Sequence, residues 1–86
     1  MRISVIIPAF NEEKSIPYVL NDIPNFVNQI IVCDNSSTDK TSEIAKSFGA
    51  KVVFEKKKGY GYACLKAISY LKNLKVKPEI VVFIDG

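Results

Sequence analysis

At 86 residues, with 48% hydrophobic and 24% charged side chains, the chain is long enough for one packed domain and too rich in apolar blocks for a disordered segment. A net charge of +3, from 12 basic and 9 acidic residues, is too small a surplus to mark a nucleic-acid binder, and no nucleic-acid partner is expected. There is no histidine, and the two cysteines, Cys33 and Cys64, lie far apart in apolar surroundings, which excludes zinc-ligand spacing and reads both thiols as small buried side chains.

The chain opens Met1-Arg2 and runs into a short apolar stretch that Pro8 bounds, too short for a signal h-region or a membrane span. A cytoplasmic protein is expected, or one on the cytoplasmic face of a membrane if an anchor follows Gly86. Ile3 to Ile7 reads as a first strand. Ile16, Val19, Leu20 and Ile23 then fall at the spacing of one helical face, with Ser15 as N-cap, Pro17 in the first turn and Pro24 as the stop. Gln29 to Cys33 is a second strand. A second helix is expected to open near Thr38 or Asp39, to bury Ile44, Ala45 and Phe48, and to end at Gly49. Ala50 to Phe54 is a third strand. A third helix carries Cys64, Ala67, Ile68, Leu71 and Leu74 on one stripe and closes before Pro78. Glu79 to Ile84 is a fourth strand.

Most of these strands are near-continuous apolar runs, as in parallel sheets covered on both faces. The order β-α-β-α-β-α-β with right-handed crossovers predicts an α/β fold, half of a Rossmann-like parallel sheet. A fourth strand of Ile80-Val81-Val82-Phe83-Ile84 with a free edge is a pairing hazard, which points to a fragment and offers a route to homo-oligomers.

In such sheets ligands bind where strands end and helix N-termini converge. Every strand delivers a polar cluster there: Pro8-Ala9-Phe10-Asn11-Glu12-Glu13, Asp34-Asn35-Ser36-Ser37-Thr38-Asp39, Glu55-Lys56-Lys57-Lys58-Gly59-Tyr60-Gly61, and Asp85-Gly86. Singly, these are a turn, a helix start and a solvated loop. Tyr60 and Tyr62 read as structural aromatics at a helix start. The conjunction of the clusters on one edge favours a site.

Val5 to Glu13, Ile30 to Thr41, Gly59-Tyr60-Gly61-Tyr62-Ala63 and Phe83-Ile84-Asp85-Gly86 together closely resemble the family 2 glycosyltransferases of GT-A fold, in particular the dolichol- and polyprenyl-phosphate sugar transferases. The resemblance covers essentially the whole chain, and the first two motifs, in order and at this spacing, are highly specific. It implies that residues 1–86 are the nucleotide-sugar-binding, N-terminal half of a GT-A domain, about the first third of such an enzyme. It further implies that Pro8, Ala9, Phe10, Asn11 and Glu12 line the nucleotide, that Asp34 meets the base edge, and that Lys58, Gly59 and Gly61 approach the nucleotide side. Asp85 matches the first acid of the family's Asp-x-Asp, which binds ribose and a divalent metal, Mg²⁺ or Mn²⁺.

The implied activity is inverting transfer of a sugar from a UDP- or GDP-linked donor to a hydroxyl or polyprenyl-phosphate acceptor. Two departures stand out. Asn35 occupies a position where the family often has a second acid, which leaves the nucleotide preference open. The second acid of Asp-x-Asp would be residue 87 and the catalytic base also lies further on, so the 86 residues alone are expected to be inactive. A nucleotide-sugar-binding module without transfer activity stays open as an alternative. A dinucleotide-binding oxidoreductase is disfavoured, because Pro8-Ala9-Phe10-Asn11 stands where its glycine-rich turn should follow the first strand.

Overall fold

The computed structural model describes residues 1–84; the sequence-predicted ligand Asp85 lies outside the described residues. The elements follow in strict alternation: β1 (Ile3–Ala9), α1 (Ile16–Asn21), β2 (Gln29–Asp34), α2 (Thr41–Ser47), β3 (Lys51–Phe54), α3 (Tyr60–Lys72) and β4 (Ile80–Phe83). The strands form one all-parallel sheet in the order β3-β2-β1-β4. This is the expected α/β, Rossmann-like β-α-β-α-β-α-β arrangement.

The period-two alternation of β1 and β2 sorts their side chains into two cores. Val5, Ile7, Ala9 and Val32 face α1 and α2, where they meet Ile16, Leu20 and Ala45. Ile6, Ile31, Cys33 and Val53 face α3, where they meet Ala63, Ala67 and Leu71. The sheet is therefore a middle layer with helices on both faces. Burial pushes the Cys33 thiol up to about 11, helped by neighbouring Glu55, Cys64 and Asp34, so it stays protonated and inert at neutral pH. Cys64, by contrast, is only half-buried.

Pro8 sits in a central strand, where a missing N–H would ordinarily break a ladder. The hydrogen-bond pattern explains its tolerance. The carbonyls of Ile3 and Ala9 accept from Asn28 and Asn35 on the β2 side, whereas those of Arg2 and Ile6 accept from Ile80 and Ile84 on the β4 side. Pro8 follows Ile6 in this alternation, so its absent donor falls on the β4 side, beyond the last bond from Ile84 N–H to Ile6 C=O.

Several sequence expectations shift. The α3 stripe keeps Ala67, Leu71 and Leu74 but includes Ala63, while Cys64 and Ile68 lie at its margin. Small residues at the centre of the stripe let the helix axis approach the sheet. Tyr60 and Tyr62 are 56% and 47% exposed rather than packed on the sheet, because the sheet-facing row begins only at Ala63. Helix α2 starts at Thr41, not Thr38 or Asp39, and Phe48 is 46% exposed at its C-cap, where the chain turns through Gly49 at φ +86. Ser15 makes no capping bond, since its hydroxyl donates to the Glu12 carboxylate at 2.6 Å instead. Strand β4 is an edge strand, as its sequence warned, and all four of its residues are exposed. Among the described residues no helix is long and apolar enough to cross a membrane.

Ile31 is fully buried between β1, β3 and α3, so truncation there leaves a cavity. Ile31→Ala is expected to lower the unfolding free energy by about 2–5 kcal/mol and Ile31→Val by about 0.5–1.5 kcal/mol, measured by denaturant titration.

Candidate functional site

Strands β1 and β2 are in register with Pro8 opposite Cys33 and Ala9 opposite Asp34, so the loops after them begin side by side. Strand β3 ends level with them, Phe54 opposite Asp34. The expected site residues Pro8, Ala9, Phe10, Asn11, Glu12, Asp34, Lys58, Gly59 and Gly61 thus all lie on one edge.

The first two loops are tied together by side chains acting on backbone. Asn11 adopts φ +52, a left-handed conformation that asparagine tolerates. Its N–H donates to Ser37 Oγ at 2.9 Å, and its Oδ1 accepts from Thr38 N–H at 2.8 Å. Glu12 N–H donates to the hydroxyl of the fully buried Thr41 at 2.8 Å. The Thr41 hydroxyl in turn donates to Asp39 Oδ1, which also accepts Thr41 N–H at 2.9 Å. Glu13 N–H reaches the other Asp39 oxygen at 3.2 Å. Asp39 therefore does more than start a helix: it fastens the β1–α1 loop to α2. Desolvation raises its pKa, but the Thr41 hydroxyl and the N–H groups of Thr41 and Glu13 outweigh that and hold the carboxyl below the ordinary 3.8.

Asp34 is 3% exposed, and its Oδ1 accepts the N–H of Ser37, three residues on, at 2.8 Å, which holds the chain in a turn directly after β2. Asn35, 7% exposed, points the other way, into the loop 55–59. Sequence reasoning singled it out only for not being an acid. Ser36, at φ +68, donates to Glu55 C=O at 2.9 Å. Among the described residues no buried side-chain nitrogen or oxygen lacks a partner.

Between these loops and α3 lies a cleft of about 140 Å³, lined by Pro8, Ala9, Phe10, Asn35, Tyr60 and Ala63. Ligand pockets ordinarily enclose roughly 300–1,000 Å³, so this is one wall of a site rather than a closed pocket. Lys58 stands at its rim, with Nζ 5.9 Å from the centre of the Phe10 ring. Lys57 instead lies over Tyr62 at 5.4 Å. A Cβ added at Gly61 would meet nothing within 4 Å, so the fold itself does not require that glycine. A larger depression of about 300 Å³ between α3 and β4 is lined by Ile68, Leu71, Pro78, Val81 and Phe83, with Lys72 and Lys77 also lining it.

The glycosyl transferase family 2 model matches residues 4–86. The chain belongs to glycosyl transferase family 2. It is 46% identical over 84 residues to an uncharacterized glycosyltransferase of Mycobacterium tuberculosis (strain ATCC 25618 / H37Rv), covering 98% of this chain and 36% of that protein. A dolichyl-phosphate hexose transferase of Haloferax volcanii is 37% identical over 68 residues, covering 77% of this chain and 30% of the other. Among solved structures, glucosyl-3-phosphoglycerate synthase from M. tuberculosis, in complex with Mn²⁺, UDP and glucosyl-3-phosphoglycerate, superposes with a TM-score of 0.81. It shares 33% identity over 98% of this chain and 33% of that one, and the same enzyme is also solved with Mg²⁺ and UDP. The family 2 chain thus spans about a third of the length of these relatives.

Among the described residues there is no cluster of three or more metal-ligating side chains, so these residues alone do not make a metal site.

The tie through Asp39 carries a pH signature. A carboxyl held below 3.8 in the folded chain contributes stability above that pH, and the contribution is lost as pH falls through the folded value. Asp39→Asn is therefore expected to melt several degrees below wild type at pH 7, with the gap closing under acid conditions, as followed by circular dichroism.

Proposed function

We propose that this family 2 chain is the nucleotide-binding half of a longer glycosyltransferase that moves a sugar, with inversion, from a UDP- or GDP-linked donor to a hydroxyl or polyprenyl-phosphate acceptor. The observation that carries the reading is the buried carboxylate of Asp34 beside an open, one-walled cleft with a lysine at its rim. A carboxylate accepts from a ring N–H of a base, and an ammonium offsets phosphate charge. Asn35, next in the chain to Asp34, and Phe10, beneath the Lys58 ammonium, both line the cleft.

The glycine at position 61 supports the same reading. A glycine inside a helix costs roughly 0.5–1 kcal/mol relative to alanine, and no neighbouring atom demands it, which suits a surface that a ligand approaches closely. Pro8, Ala9 and Phe10 supply an apolar floor for a base, while Asn11 and Glu12 set the course of the loop leading away from it. Relatives that bind UDP with Mn²⁺ or Mg²⁺ and act on phosphorylated or lipid-phosphate acceptors support the donor and acceptor classes. In this reading Asp85 brings a carboxylate to the ribose and the ion.

The test is calorimetric titration of the full-length protein with UDP and GDP, with and without Mn²⁺. Binding of one nucleotide is expected, and Asp34→Ala is expected to weaken it at least about tenfold, the scale of a lost charge-assisted hydrogen bond. An absence of heat with both nucleotides would sink the reading. Binding without sugar transfer to any hydroxyl or lipid-phosphate acceptor would identify a nucleotide-sugar-binding module instead.

A further inference from the structure

Of the three consecutive lysines at positions 56–58, Lys58 is the one held over the cleft, and the means by which it is held is a single buried carboxamide. Asn35 Nδ2 donates to Lys57 C=O at 2.7 Å and more weakly to Glu55 C=O at 3.3 Å, while Asn35 Oδ1 accepts Gly59 N–H at 2.8 Å. The Lys57 carbonyl belongs to the peptide group before Lys58, and the Gly59 N–H belongs to the one after it. One side chain therefore grips both peptide planes that flank Lys58 and leaves its backbone little freedom to turn. Only one orientation of the amide serves, because the nitrogen must face the carbonyls and the oxygen the N–H.

The surroundings reinforce this grip. Gly59 takes φ +139, and a Cβ there would come within 3.3 Å of Tyr62 Cδ2, so the residue after Lys58 is restricted to glycine. Ser36 holds the start of the same loop through Glu55 C=O at 2.9 Å and Lys56 C=O at 3.3 Å. All three side-chain bonds of Asn35 go to this loop, so its amide is committed there rather than to reading a base. An aspartate could not replace it. A carboxylate has no hydrogen to give, and would set an oxygen against the Lys57 and Glu55 carbonyls.

The geometry points to Asn35 as a positioning residue that aims the Lys58 ammonium at the phosphates of the bound nucleotide. The inference rests on the nucleotide-site reading above and adds to it the residue that makes one lysine of the run the working one. It also converts the departure at position 35 into a functional choice: an amide here holds the lysine loop in place, which an acid could do only when protonated.

The experiment is calorimetric titration of the full-length protein with UDP and GDP in the presence of Mn²⁺, for wild type, Asn35→Asp, Lys58→Ala and the double variant, with thermal melting alongside. Asn35→Asp is expected to raise the Kd about tenfold while still binding one nucleotide per chain, and Lys58→Ala to raise it by a similar factor. In the double variant the loss is expected to stay near about tenfold, because a lysine already misplaced has little left to contribute. An unchanged Kd in Asn35→Asp, fewer sites at constant Kd, no effect of Lys58→Ala, or losses that multiply to about a hundredfold would each overturn the inference. Should Asn35→Asp fail to fold, Ser36→Gly removes the neighbouring loop bonds while suiting the φ +68 backbone, and is expected to cost about threefold in affinity; no change there would also overturn it. Wild type that binds neither nucleotide ends the site reading and this inference together, whereas tight wild-type binding that Asn35→Asp leaves intact removes only the role of Asn35.

Discussion

Pro8 lies opposite Cys33 and Ala9 opposite Asp34, and the remaining features of the site follow from that register. It ends the two central strands at the same level, so two loops start beside each other and a third, after Phe54, starts level with them. It also decides faces. Cys33 points into the core under α3, so Asp34 cannot, and a slip by one residue would exchange them and drive a carboxylate into an apolar layer. Burial of Ile6, Ile7, Ile31 and Val32 with no measurable exposure is what makes such a slip costly. The hydrophobic pattern of the sheet is in this sense the device that delivers polar groups to its edge.

Beyond the strands, backbone groups no longer have ladder partners, and they must find others. The family 2 chain answers with short polar side chains: Asn11, Ser37, Thr41 and Asp39 join the first two loops, and Asn35 and Ser36 join the second to the third. The β2–α2 loop is thus the hub of the edge, bonded on both sides. This explains why Asp34, the last residue of β2, and Asn35, the first of the loop, are nearly inaccessible although they lie outside the apolar core.

The fold was legible because it is written in blocks. Val, Ile and Phe runs of strand length alternate with amphipathic stretches, and these survive small errors in the boundaries. The errors that did occur have local causes. The α3 stripe leans toward Ala63 rather than Cys64 because a residue that small packs against the sheet as readily as a large one, which a count of large apolar residues misses. Helix α2 begins at Thr41, whose N–H the Asp39 carboxylate accepts from just ahead of the first turn. At the site, the cluster of polar residues on one edge could be read from topology, but the division of labour within it could not. Which of three lysines faces the cleft, and that Asn35 rather than Asp34 controls that loop, depend on hydrogen bonds between residues about twenty positions apart. The one signal available beforehand was the amide at position 35, where resemblance led one to look for an acid.

Pro8 has an effect beyond lining the cleft. A parallel ladder works like a ruler, each N–H of one strand marking where the next carbonyl of its neighbour must lie. On the β4 side of β1 the last mark is used by Ile84, and proline leaves the next position blank. The Ile84 carbonyl is thereby denied a donor from β1, and Pro8 sets the length of the ladder between the two strands without shortening either of them.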